Sequence, residues 1–490
     1  MNKKIESIIL RENNTIKEAM ESIEKTGIRI VLIIDKNKKL LGVATDGDIR
    51  RALLAGRGFD SPIKEVMNQN PIAARERTPA TKLLEIMLDK GIQEIPLIDD
   101  KGTVVDLILL RELKSIPLSS PDITYKEVKI INEVLSTPTL SIGPKVREFE
   151  KKISNYIGTK YAIAVSSGTS GLHLCIRSLG IKEGDEVITT SFSFIASANC
   201  ILFERAKPVF VDIDENTLCI DPSKIKRAIT KKTKAILPVH IFGHPCDMDK
   251  IMKIAKKYNL AVIEDACEAL GSEYKGKKVG SFGNCAVFSF YPNKPITTGE
   301  GGMIVTNDEK IAKLCQSMRN QGRKEDGSWL CHKRLGYNYR MPELCAALGV
   351  AQMERIDEIL EKRQKVADFY NQRLNNIEGI KIPYIDSNTT KISWFVYVIR
   401  LDDKRFSRED RDKMIQELEN RGINCRDYFP PIHLEPFYVE KFGHKRGDFP
   451  ITEKVSDLTI ALPFYNNLTE KEIDYICDSL EDIIKELKIE

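Results

Sequence analysis

The stretch Tyr161–Gly171, YAIAVSSGTSG, carries an apolar run of strand character into a serine- and glycine-rich bend, and SGLHLCIRSLG (170–180) then reads as a helix. The alternation continues with EVITTS (186–191), FIASANCILFE (194–204), PVFVDI (208–213), TKAILPVHI (233–241), DMDKIMKIAKKYN (247–259) and LAVIEDA (260–266). Strands alternating with helices predict an α/β fold with a mostly parallel sheet and crossover helices. A long helical stretch from Pro342 to about Asn376 follows. Beyond it, the strand ISWFVYVIRL (392–401) and the helix SREDRDKMIQELENRG (407–422) mix in α+β fashion.

Upstream of this alternation the sequence repeats itself. Gly27 and Gly91, Asp35 and Asp99, Gly42 and Asp106, and Asp48 and Glu112 are each 64 positions apart. Each copy reads as helix (TIKEAMESIEKTG; ATKLLEIMLDKG), strand (IRIVLIID; IQEIPLID), polar turn, strand (LLGVAT; VVDLIL) and helix (DIRRALLAG; LRELKS). The second copy ends near Lys114, and SIPLSSPDIT (115–124) has the proline and serine content of a linker. The expected domains are therefore 1–118, with copies of about 1–59 and 60–118, then 119–376, then 377–490.

With 490 residues, 42% apolar, the chain can bury several cores. Its 75 basic and 71 acidic side chains are interspersed and leave a net charge of +4, too weak a field to hold a nucleic acid. No run approaches the roughly 20 apolar residues of a membrane span, and MNKKIESIIL has no signal-peptide core, so a cytoplasmic location is expected. Eleven cysteines without a CxxC pair predict reduced thiols and no metal site.

Ligands of parallel sheets sit beyond the carboxyl ends of the strands. Three segments lie there. SSGTSG (166–171) has the makings of a phosphate cup, with glycine letting the backbone approach an anion at a helix start; ordinary turn and capping chemistry reads the same way. IEDACEA (263–269) ends an apolar strand on Asp265, and a carboxylate there demands a positive or donating partner. FSFYPNKPITTGEGG (288–302) places Ser289 after a short aromatic strand and Lys294 in a proline-bounded loop.

In this order the three segments resemble the fold-type I pyridoxal-phosphate enzymes, specifically the DegT/DnrJ/EryC1 sugar aminotransferases. Further matching pieces are GPKVREFE, TTSFSFIASAN, FVDID, VHIFGHPCDMD, GYNYRMPEL and YFPPIHLEP, from about Ser120 to the C-terminus. The resemblance implies a large domain with a mostly parallel sheet and a smaller α+β C-terminal domain. It implies that Lys294 bonds to pyridoxal 5'-phosphate as a Schiff base and shuttles the proton, and that Asp265 pairs with the pyridinium nitrogen. Gly168, Thr169 and Ser289 would bind the phosphate, Phe194 would stack on the ring, and Glu268 would lie near the cofactor hydroxyl and imine. Asn338 would reach the phosphate of a neighbouring subunit in a homodimer, unless it is a loop cap. His433 would touch substrate, or else pack the loop that holds it. Lysine at 294, where the dehydratase branch carries histidine, favours transamination.

The repeat resembles a CBS domain pair. GVATDGDIRRAL (42–53) matches that family's pattern, so Thr45 and Asp48 would meet the ribose hydroxyls of an adenine nucleotide. The second copy departs from the pattern at Asp106, Leu109 and Glu112, leaving at most one standard site; a structural or dimerising role fits as well. The combined expectation is a homodimeric aminotransferase that moves an amino group from glutamate to a nucleotide-linked keto-hexose, most simply a 4-keto sugar, for polysaccharide or glycoconjugate synthesis. The competing readings are a 3-keto sugar substrate and a non-enzymatic nucleotide sensor on the same fold.

Overall fold

A computed structural model describes residues 3–113, 115–324 and 331–487. They form two compact units. The first comprises Met1–Ile116 with Asn420–Gly422, the second Pro117–Glu419 with Ile423–Glu490.

In the first unit each copy builds a three-stranded sheet. Ile30–Ile34 pairs antiparallel with Leu40–Thr45 and parallel with the short strand Ile9–Leu10, while Glu94–Ile98 pairs likewise with Val104–Leu109 and with Ala74–Arg75. Ile30 faces Thr45 in the first copy and Glu94 faces Leu109 in the second, so the duplication extends to the strand register. The two-residue strands Ile9–Leu10 and Ala74–Arg75 are too short to leave a periodic signal.

The second unit is built on a seven-stranded sheet. Its strands are β1 (Tyr161–Val165), β2 (Glu186–Thr190), β3 (Lys207–Val211), β4 (Thr233–Ile236), β5 (Ala261–Asp265), β6 (Cys285–Ser289) and β7 (Gly302–Thr306). Their spatial order is β1-β7-β6-β5-β4-β2-β3, and β7 alone runs antiparallel to its neighbours. Both faces are covered. Along β1, Ile163 and Val165 enter one apolar core while Ala162 and Ala164 enter the other, where they meet Phe149 and Val350. Because β6 and β7 are antiparallel neighbours, residues 290–301 form the loop joining them, and Lys294 is on it. A smaller antiparallel sheet, Ile380–Lys381, Tyr397–Leu401 and Thr459–Leu462, lies in the C-terminal part of this unit.

The stretch after Pro342 is two helices, Glu343–Met353 and Ile356–Leu374, rather than one. Arg355 leaves the helical conformation between them and sends its guanidinium to Glu127 at 2.9 Å and Asp122 at 3.2 Å, all three groups being buried. Asp122 also accepts from Lys362 and Asn466, and Gln352 donates to Glu127. The linker segment is therefore extended chain only in part. Its second half is built into the core of the second unit by a carboxylate that burial would otherwise forbid. Lys114 lies outside the described residues.

Removing one member of such a cluster strands the other charges. Arg355→Ala should cost about 3 to 5 kcal/mol of stability in urea unfolding, and an unchanged midpoint would show that Asp122 and Glu127 need no cation.

Candidate active site

Beyond the carboxyl ends of β1, β5 and β6 lies a cavity of about 770 Å³, lined by Gly168, Thr169, Phe194, Asp265, Glu268, Ser289 and Lys294 among others. These seven residues, scattered over 127 positions of sequence, share one wall because their strands are neighbours or near neighbours in the sheet.

The anion end is the start of the helix Gly168–Ser178. Ser167 caps it, its hydroxyl accepting from the Ser170 amide and its carbonyl from Gly171, which leaves the amides of Gly168 and Thr169 at the open turn. A Cβ on Gly168 would come within 3.0 Å of both Cys267 Sγ and Ser289 Cβ, so glycine is what brings this turn against the Ser289 side chain. Gly302 plays the matching part from β7, where a Cβ would lie 2.4 Å from the Ser167 carbonyl oxygen.

Asp265 closes β5 with 4% of its surface exposed. Oδ2 accepts from Ser197 Oγ at 2.7 Å and Oδ1 from the Cys267 amide at 3.2 Å; Ser193 in turn bonds Ser197 at 2.8 Å. The preceding residue, Glu264, is fully buried and accepts the amides of Gly280, Phe282 and Gly283 at 2.7 to 2.8 Å, with His240 Nε2 at 3.2 Å. Burial alone would raise its carboxyl, but His240 and the amides outweigh it and hold the group below the ordinary carboxylate range.

Lys294 Nζ sits 3.5 Å from Glu268 Oε1 and 3.7 Å from the centroid of the Phe395 ring. Glu268 Oε2 accepts the Phe242 amide at 2.8 Å. Burial raises the Glu268 carboxyl, and the lysine and this amide offset that only in part. Phe395 is itself fixed from behind, since the buried Arg363 donates to the carbonyls of Trp394 and Phe395 at 2.5 and 2.7 Å.

These donors suit pyridoxal phosphate. A phosphate finds free amides and a hydroxyl at a helix start, a protonated ring nitrogen finds the anchored Asp265, and an aldehyde finds an amine on Lys294. Phe194, 59% exposed, offers a ring face at the mouth.

Two expected residues do not line this cavity. Asn338 is exposed, and its sequence neighbours Tyr337 and Tyr339 stack on each other and contact the buried His173, the half-buried Glu204 and Arg177. His433 is wholly buried, bonded to Ser191 Oγ at 2.7 Å and Glu453 Oε1 at 3.1 Å, so its imidazole fixes the 428–436 loop rather than facing the cavity. In the first unit, Thr45 and Asp48 form a helix capping box. Asp48 Oδ2 accepts from the Thr45 amide and hydroxyl at 2.9 and 2.6 Å, and Oδ1 pairs with Arg51 at 2.6 Å. The Glu112 side chain lies outside the described residues. Sequence reasoning missed Ser197 and Glu264. Only Glu264 left a signal, as a second carboxylate beside Asp265 that strand alternation sends to the opposite face.

Residues 121–481 match the model of the DegT/DnrJ/EryC1/StrS aminotransferase family, and residues 1–55 and 63–118 each match the CBS domain. The chain is 40% identical over 371 residues to a GDP-perosamine synthase of Escherichia coli O157:H7, covering 76% of this chain and 99% of the relative. It is 38% identical over 380 residues to the spore coat polysaccharide biosynthesis protein SpsC of Bacillus subtilis, covering 76% and 97%. Among solved structures, Spr1654 of Streptococcus pneumoniae in its PLP form superimposes with a TM-score of 0.72 at 30% identity, covering 76% of this chain and 99% of that one.

The Glu264 cluster has a pH signature. Its carboxyl titrates lower folded than unfolded, so the stabilisation is full above the ordinary glutamate range and is lost as pH falls through the folded value. Glu264→Gln should cost about 2 kcal/mol at pH 7 and progressively less in acid, where the wild-type side chain is itself neutral. A pH-independent difference in denaturant midpoints would count against ionised Glu264.

Proposed function

The chain belongs to the DegT/DnrJ/EryC1/StrS aminotransferase family, and from that premise we propose that this pyridoxal-phosphate-dependent sugar aminotransferase takes its amino group from glutamate and delivers it to a nucleotide-linked keto-hexose, most simply a 4-keto sugar. The observation that carries the reading is the convergence of Lys294, Asp265 and the Gly168–Ser289 cup on one cavity. The E. coli relative's name supports a nucleotide-linked sugar, and the B. subtilis relative's supports a product destined for polysaccharide.

Pyridoxal phosphate supplies the electron sink for the bond broken at the amine-bearing carbon. The chain supplies position and protons. Asp265, held by Ser197 and the Cys267 amide, keeps the ring nitrogen protonated by offering it a fixed negative partner. The amides of Gly168 and Thr169 and the Ser289 hydroxyl bind the phosphate, and Phe194 covers the ring face. Lys294 Nζ takes the proton from the α-carbon of the donor and, in the second half of the cycle, returns a proton to the former carbonyl carbon of the sugar. Exposed Tyr125, Leu140, Ile142 and Leu335 support a homodimer in which Asn338 serves the neighbouring site, working in the cytoplasm.

No helix among the described residues is long and apolar enough to cross a membrane. The CBS pair would bind adenine nucleotide at one site, in the first copy. The Asp48 carboxylate still has acceptor capacity for ribose hydroxyls beyond its cap bonds.

Borohydride reduction of the holoenzyme should fix the cofactor on the peptide containing Lys294, and single turnovers of the aminated enzyme with nucleotide ketosugars should then identify the acceptor. Label on any other lysine rejects the assignment. Calorimetry with AMP and ATP should give about one site per chain, lost in Asp48→Ala with basal transamination intact; two tight sites would refute the single-site reading.

A further inference from the structure

A second group of ionisable side chains gathers on Glu204, a residue with no place in the chemistry above. Its Oε1 accepts from His173 Nε2 at 2.8 Å, both its oxygens accept from Arg177 at 2.8 and 2.6 Å, and the Tyr337 hydroxyl reaches Oε1 at 3.4 Å. Burial raises the Glu204 carboxyl, but Arg177 and His173 outweigh it and hold the group below the ordinary carboxylate range. An ionised carboxylate only accepts, so His173 carries its proton on Nε2 and receives the Tyr339 hydroxyl on Nδ1 at 3.2 Å. The Glu204 side chain is 10% exposed and that of His173 5%, so neither polar group could sit there without the other's bonds.

The partners belong to the elements that build the two ends of the cavity. His173 and Arg177, one helical turn apart, share a face of Gly168–Ser178, the helix whose first turn is the phosphate cup. Glu204 stands two residues beyond Ala196–Leu202, the helix whose Ser197 holds Asp265 at 2.7 Å. Tyr339, its ring stacked 4.9 Å from that of Tyr337, accepts the Ser166 amide on its carbonyl at 2.9 Å, just before the cup. The sheet alone leaves this relation loose, because β1, which leads to the cup, and β5, which ends on Asp265, are separated by β7 and β6. The separation across the cavity therefore depends on how the two helices lock together, and Glu204 is the side chain that locks them.

We propose that Glu204 is a positioning residue that sets the span between the phosphate cup and Asp265, by tying the cup's helix to the helix that carries Ser197. This inference rests on the pyridoxal-phosphate reading and adds what keeps the two ends of that molecule's site at a matching separation. A rigid ligand held at both ends gains from the second contact only when the span fits, and a misplacement of about 1 Å can cost about 100-fold.

The test titrates full-length protein stripped of cofactor with three probes, for wild type, Glu204→Gln and Glu204→Ala. Pyridoxal phosphate and pyridoxal are followed by their absorbance on binding, and inorganic phosphate by its competition with pyridoxal phosphate. Glu204→Ala should weaken pyridoxal phosphate about 10- to 100-fold and Glu204→Gln less, while pyridoxal and phosphate, each touching one end, bind nearly as in wild type. A general loosening of the fold would weaken all three probes, and an effect on phosphate as large as that on pyridoxal phosphate would confine Glu204 to the cup; either result overturns the proposal. Equal affinity for pyridoxal phosphate in all three proteins also overturns it. Should Glu204→Ala not fold, Glu204→Gln and Arg177→Gln decide, since both should show the same selective loss. Wild type that takes up no pyridoxal phosphate would defeat the cofactor reading and the proposal with it, a result read before any variant is made.

Discussion

Two adjacent carboxylates end a strand that is otherwise apolar, and the second unit is arranged around satisfying them on opposite faces. Strand alternation sends Glu264 one way, into the amides of residues 280–283 and His240, and Asp265 the other, onto Ser197 and into the cavity. Neither could be buried alone. The first collects donors from the loop before β6, fixing where β6 begins, and β6 leads directly to Ser289 and the loop of Lys294. The second sets the electrostatic character of the cavity floor. The acid that ties the loop and the acid that lines the cavity are one residue apart, and the pleat keeps them on opposite faces.

The same economy appears at the edge of the second unit. Asp122 and Glu127 lie on the stretch that leads into the sheet region, and Arg355 meets them from the break between two helices. An isolated buried arginine or carboxylate would be prohibitive, whereas the cluster distributes the charge over Lys362, Gln352 and Asn466. The entry segment is ordered by what it brings to the core as well as by the capping box through which Thr124 and Glu127 start a helix.

Much of this was legible in the sequence because it depends on local pattern. The alternation from Tyr161 onward, the glycine turn at 166–171, Asp265 after an apolar run and the repeat at a spacing of 64 are all written in consecutive residues. What escaped depends on contacts between distant segments. Ser197 sits inside a helix and gives no sign that it holds Asp265. The break at Arg355 is invisible in helix propensity, since its cause lies some 230 positions away. For His433 the sequence left two roles open, substrate contact or packing of its loop, and the bonds to Ser191 and Glu453 favour the second.

The ammonium of Lys294 lies between the Phe395 ring and Glu268, and Phe395 is held by a buried arginine. A lysine's four-carbon stem has many rotamers, and an amine left unheld would wander among them. Ring and carboxylate narrow that choice to one resting place on the cavity wall, so the amine is held at high effective concentration before whatever the cavity receives. The aromatic ring thus acts as a mooring for the amine.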